Sequence, residues 1–195
     1  MLNKSHILIS MILRNEGGYW MDPDNLDSGG ETYCGISRVN FPKWEGWKII
    51  DKFKPLKRGQ IITTVKELED LVEQFYKDNF YDKCKIDDIS NIYISSHLLD
   101  HSVNAGVSNG VKCLQKAISN LGQSLDIDGK IGPTTIRLAN LCNSKNLLQE
   151  FISQRKEYYQ SIVDRKPSQS KFLKGWLNRI DEVNTYVRNK FSQSI

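Results

Sequence analysis

Between residues 16 and 32 the chain sets Glu16, Asp22, Asp24, Asp27 and Glu31 along one short stretch and ends it on Thr32. Closely spaced carboxyls suit cleavage of a glycosidic bond. One acid must protonate the leaving oxygen, and a second carboxylate or an equivalent group must handle the developing sugar cation and the incoming water. The same side chains would serve as solvated turn residues on an acidic surface loop, and composition alone does not separate the two readings. A calcium loop fits less well, because DPDNLDSGGETY does not put its oxygens at the standard loop positions.

Other chemistries find less support. His97 and His101 share a helical face in HLLDH, but the glutamate of the common zinc protease motif is missing between them. No nucleophile elbow is present, and GVSNG and GKIG have neither the spacing nor the flanks of a phosphate-binding loop. Cys34, Cys84, Cys113 and Cys142 match no CxxC pattern and read as buried free thiols, although they allow three pairings. The formal charge of +4, from 27 basic and 23 acidic residues, is too diffuse to predict nucleic-acid binding.

The elements that would position the carboxyls are helical. A first helix begins after Ser5 as N-cap, carries Leu8, Met11 and Ile12, and stops at Gly17-Gly18. Glu16 then sits near its last turn, where the negative local field disfavours an ionised carboxylate and suits a group that must carry a proton. Residues 20 to 60 look irregular, apart from a short extended piece in ETYCGI, and long ordered loops are often functional. Trp44 and Trp47 fit either a lid over the core or a platform for sugar rings.

Thr64 to Glu67 reads as a capping box for a helix through Leu68, Leu71, Val72, Phe75 and Tyr76 to about Phe80. Another runs from about Ser90 to Gly106. Further helical stripes follow over Val111 to Leu121, after Pro133, over Leu148 to Ile162, and beyond Pro167 to Val187, with Asp128-Gly129 as a turn. The periods predict a mainly α protein and contradict a sandwich or a doubly wound sheet. No apolar run approaches the roughly 18 residues of a membrane span. The N-terminal apolar patch lacks a cleavage site, so it reads as mature structure without a clear signal peptide.

RNEGGYWMDPDNLDSGGETYCGIS resembles the signature of glycoside hydrolase family 108, phage-type muramidases of which some members carry the label secretion activator protein. The match continues through Tyr19, Asp22, Pro23, Asp27, Gly29-Gly30, Glu31, Thr32 and Gly35-Ile36. It implies Glu16 as catalytic acid. The order Glu16, Asp27, Thr32 is also similar to phage lysozymes, though the spacing differs by a few residues. LLDHSVNAG resembles the family's helix segment FD-x-x-VN-x-G, with Asp100 and Asn104 at its polar positions, where they would line the cleft, brace the loop or cap backbone. VKCLQKAISNLGQSLDIDGKIGPTTIRLA looks like the predicted peptidoglycan-binding domain found behind this module, and RKEYYQSI and KFLKGWLNRI fit it as well.

The resemblance implies an all-α, mainly helical fold, with a lysozyme-like catalytic region over residues 1–97 packed against a small helical peptidoglycan-binding module over residues 98–195. The implied activity is that of an N-acetylmuramidase without metal or cofactor. Asp27 would stabilise the cation-like transition state or orient water, and Thr32 would assist that water. Tyr19, Asp22, Glu31, Tyr33, Asp100 and Asn104 would bind substrate or support the site. The expected partner is bacterial peptidoglycan, with neither nucleic acid nor stable membrane insertion, and the oligomeric state stays open. Made in the cytoplasm, the protein would act in the periplasm or on the wall after another export or lysis route. A noncatalytic wall-binding protein and a lytic transglycosylase are the alternatives.

Overall fold

The computed structural model describes residues 3–21 and 30–191. Within them lie eight α-helices and one three-stranded sheet, the mainly α class that the periods predict. The chain divides into two compact units, Met1–Asp78 and Asn79–Ile195.

In the first unit, α1 (Lys4–Leu13) is apolar on nearly every side, with Leu8 and Ile12 fully buried. Its N-cap is Asn3, two residues before the expected Ser5. The Asn3 carboxamide oxygen accepts from the Ser5 backbone N–H at 3.1 Å and from the Ser5 hydroxyl at 2.8 Å, so Ser5 is held inside the first turn. The helix also ends early, at Leu13, although the Glu16 N–H still reaches the Ile12 carbonyl at 3.3 Å.

Three short strands follow, β1 (Tyr19–Trp20), β2 (Thr32–Tyr33) and β3 (Ile36–Ser37), antiparallel in that order. Tyr33 pairs with Ile36, which leaves Cys34-Gly35 as a two-residue turn with φ of +46° and +76°. Two central residues at positive φ make the type I′ hairpin, whose twist matches that of its strands. The long loop then yields α2 (Gly46–Ile50), which buries Trp47, while Trp44 packs edge-on against it at 5.2 Å. This is the lid-like packing open to both tryptophans.

The helix α3 (Lys66–Tyr76) lacks the expected Thr64 capping box. Val65 is its N-cap, so Glu67 falls one position too early to reach back, and Glu67 and Glu69 instead favour the first turn through its dipole. The α-helix stops at Tyr76, and the stretch to Tyr81 is a π-helical turn.

The second unit is built from α4 (Ile92–Ala105), α5 (Val107–Asn120), α6 (Pro133–Leu141), α7 (Ser144–Arg165) and α8 (Ser170–Phe191). The face of α4 meets α5, α7 and α8 around Leu98, Leu99, Leu114, Phe151, Tyr159 and Ile180, all almost fully buried. Pro133 opens α6 as its spacing predicts. Gln115 links α5 to the Asp128-Gly129 turn, donating to Asp128 Oδ1 at 2.9 Å and accepting from the Gly129 N–H at 2.9 Å. These two bonds tie the turn to the buried face of α5.

Candidate active site

Glu16 stands half-buried three residues beyond the end of α1, and its carboxyl is directed at the β2–β3 turn. A Cβ added to Gly35 would lie 2.6 Å from Glu16 Oε2 and 2.6 Å from the Tyr76 hydroxyl. Only a glycine leaves both oxygens room at that point. Tyr76, at the end of α3, donates to the Cys34 carbonyl at 2.7 Å, which fixes its hydroxyl against the turn. One acid, one phenol and a backbone turn therefore converge on one small space.

The glycines after Glu16 do not terminate the helix, because Arg14 is the C-cap and neither has positive φ. Gly18 is required by space: an added Cβ would sit 2.5 Å from the Gly59 carbonyl oxygen and 2.6 Å from that of Gln60. Tyr19 continues the same approach, with its N–H on Gln60 O at 2.9 Å and its carbonyl accepting from Gly59 at 2.8 Å. The second glycine of the motif thus lets the chain leave Glu16 and enter β1 against another backbone.

Beside Glu16, the Cys34 thiol is pushed up to about 11, first by burial and then by the Glu16 charge. It stays protonated and is no nucleophile near neutral pH. All four cysteines are free, with Cys84 and Cys113 buried and the other two half-buried.

Glu31 is almost enclosed, with 8% of its side chain exposed, and it meets Arg38 at 2.7 Å and Lys54 at 2.6 Å. Burial raises its pKa, but hydrogen bonds from Lys54, Arg38 and Tyr19 outweigh that and hold it below the usual range. Arg38 and Lys54 also bind Asp51, at 2.6 and 2.8 Å, closing a network of two cations and two anions. Glu31 is therefore an ionised anchor for β3 and the following loop. Burial first, and then Glu31, push the Tyr19 phenol upward, so it remains a donor.

Thr32 lies in the central strand opposite Trp20 and Ser37, and the alternation of strand side chains turns it away from the face of Tyr33. Tyr33 is buried, and its hydroxyl accepts from the Ile62 N–H at 3.0 Å, a bond that ties the sheet to the loop before α3. Trp20 carries the Arg58 guanidinium over its ring at 4.1 Å. Asp22 and Asp27 lie outside the described residues.

Asp100 and Asn104 belong to the second unit. Asp100 is fully buried between Arg155 at 2.5 Å and Arg179 at 2.7 Å. Asn104 donates to the Tyr159 hydroxyl at 2.7 Å. Both hold α4 to α7, and Asp100 holds α8 as well. The histidines join this interior. His97 Nδ1 accepts from Arg155 and His97 Nε2 donates to Asn184, while His101 contacts Tyr159 and Cys113. Burial first, and then the Arg155 charge, push His97 down to about 3, and the same two causes lower His101.

Gly35 and the Tyr76 hydroxyl are site members that the carboxyl pattern does not reveal. Their signals were a small residue closing a two-residue turn and the one hydroxyl in the apolar stripe of α3.

Residues 9–106 match the family Glycosyl hydrolase 108, and residues 109–181 match a Predicted Peptidoglycan domain. No curated protein matches the chain. Among solved structures, Brucella abortus SagA is similar at 21% identity, with a TM-score of 0.66 over 98% of each chain, a likeness of fold. With the first match covering half its length and the second following directly behind, the chain belongs to glycosyl hydrolase family 108 and is a peptidoglycan-acting hydrolase.

Proposed function

We propose that the chain is an N-acetylmuramidase that cleaves the β-1,4 bond between N-acetylmuramic acid and N-acetylglucosamine, with Glu16 as general acid. The observation that carries this reading is the convergence of the Glu16 carboxyl with the Tyr76 hydroxyl at the space left open by Gly35. Glu16 gives its proton to the departing O4 as the C1–O4 bond breaks, and the oxygen of a water molecule then bonds to C1. Asp27 stabilises the developing positive charge or receives the water's proton, and Thr32 orients that water. Catalysis falls to residues 1–97 and wall binding to residues 98–195; the two family matches, over residues 9–106 and 109–181, support that order of modules. The protein reaches peptidoglycan in the periplasm or on the wall by another export or lysis route.

Digestion of purified cell wall by the wild type and by Glu16→Gln, with products resolved by mass, tests the reading. Reducing muramic ends that vanish in the variant are expected. Anhydro ends would make the protein a lytic transglycosylase. A wild type that sediments with wall but releases nothing would make it a noncatalytic binding protein, the reading that the peptidoglycan domain favours if the acid is idle.

A further inference from the structure

Glu16 stands three residues beyond the end of α1, and its carboxyl leaves that helix for the β2–β3 turn. The turn itself is strained. Cys34 adopts φ of +46°, a left-handed conformation that a residue with a Cβ keeps where its surroundings enforce it. Two bonds hold the Cys34 backbone. Its N–H donates to the Gly18 carbonyl at 3.3 Å, which leads back to the segment carrying Glu16, and its carbonyl accepts from the Tyr76 phenol at 2.7 Å, which leads to α3.

The phenol bond is the shorter of the two, and it issues from a packed interior. Tyr76 is 2% exposed, and the adjacent Phe75 meets the rings of Phe41, Trp44 and Tyr76 edge-on, with centroids 4.7, 6.2 and 5.5 Å apart. A carbonyl oxygen shares the peptide plane with the Cα of the next residue, so a bond to the Cys34 oxygen also fixes Gly35 Cα. A Cβ on that atom would stand 2.6 Å from Glu16 Oε2 and 3.2 Å from Glu16 Cδ. The contacts therefore run without a gap from the aromatic cluster through the phenol and the turn to the acid. We infer that Tyr76 is a positioning residue for Glu16: by holding the Cys34-Gly35 peptide it sets where the carboxyl stands, acting through the turn rather than on the sugar.

This inference rests on the reading of Glu16 as general acid, and two measurements on the full chain keep the two claims apart. In digestion of solubilised wall, Tyr76→Phe keeps the ring and removes the bond. It should lower kcat about tenfold or more and leave KM within about twofold, because a shifted acid weakens the bond-breaking step and spares the sugar contacts. The second measurement needs no reaction, because the Cys34 thiol is pushed up by burial and then by the Glu16 charge and so reports how near that charge lies. With Cys142→Ser as background and Cys84 and Cys113 buried, iodoacetamide at pH 9 reads the Cys34 thiolate. Glu16→Gln should alkylate faster than the parent, and Tyr76→Phe should move the same way as the carboxyl and the thiol relax apart. The two substitutions together should match Glu16→Gln alone within about twofold, since both act through one contact. An unchanged kcat or alkylation rate in Tyr76→Phe would overturn the inference. So would a gain that adds in full to that of Glu16→Gln, which would mean a loosened turn and an acid that has not moved. A wild type that leaves wall intact while the thiol responds as expected would refute Glu16 as the acid and keep Tyr76 as the group that places its carboxyl.

Discussion

Replacement of Gly35 by alanine tests the arrangement around Glu16, and the protein supplies its own control. Gly35 and Gly59 both adopt φ of +76°, yet a Cβ on Gly59 meets nothing within 4 Å, whereas one on Gly35 meets Glu16 Oε2 and the Tyr76 hydroxyl at 2.6 Å. The backbone cost of placing alanine in the left-handed region, about 1–2 kcal/mol, is common to both variants. Any further loss in Gly35→Ala comes from the encroachment.

Which oxygen yields is decided by burial and by side-chain flexibility. Tyr76 is 2% exposed, and its hydroxyl is bound to the Cys34 carbonyl at 2.7 Å, whereas Glu16 is half-buried beyond a helix end. The carboxyl should therefore move, by about 1 Å if an ordinary van der Waals separation is to be restored. A misplacement of that size costs on the order of 100-fold in rate for a group that must meet a reacting atom in line. The assay is the initial rate of reducing-end release from purified wall, with denaturant unfolding of both variants beside it. Both should lose similar stability, Gly59→Ala should stay within about threefold of wild type, and Gly35→Ala should fall about 100-fold. Equal rates in the two variants would refute the placement of the acid against the turn.

The second unit should be acid-sensitive through its histidines. With His97 at about 3 in the folded protein and near 6.5 unfolded, the unfolded chain binds the extra proton first, so stability is complete above pH 6.5 and falls as pH drops toward 3. By pH 5 the loss is about 2 kcal/mol from His97 alone, with His101 acting in the same direction. The lowered carboxylates Glu31 and Asp51 act mainly below pH 5, so a flat stability curve from pH 7 to pH 5, followed by amide exchange in α4 and α7, would refute the burial argument. Asp100→Asn should cost about 3–5 kcal/mol in denaturant unfolding, because it removes the charge that compensates two guanidinium groups inside the helices, and a loss below about 1 kcal/mol would contradict that role.

The helices of the second unit are legible because long apolar stripes of period 3.6 have few competing readings. Helix starts in the first unit are less so: Asn3 displaces Ser5 because its side-chain oxygen is the one that reaches an N–H, and Val65 displaces Thr64 without any side-chain cap, and residue type contains neither outcome. The site divides in the same way. Glu16 stands out by its motif, but Tyr76 is hidden at the end of the apolar stripe that begins at Leu68, where an aromatic reads as core. Its ring is core, and only the hydroxyl at its tip reaches the hairpin 42 residues away. Asp100 and Asn104, four apart in α4, are neighbours on one helical face by local geometry alone. What meets that face is nonlocal. The guanidinium groups that enclose Asp100 come from 55 and 79 residues further along the chain, so the period of α4 gives the direction in which its carboxylate points, and only the packing of α7 and α8 decides that it points at Arg155 and Arg179.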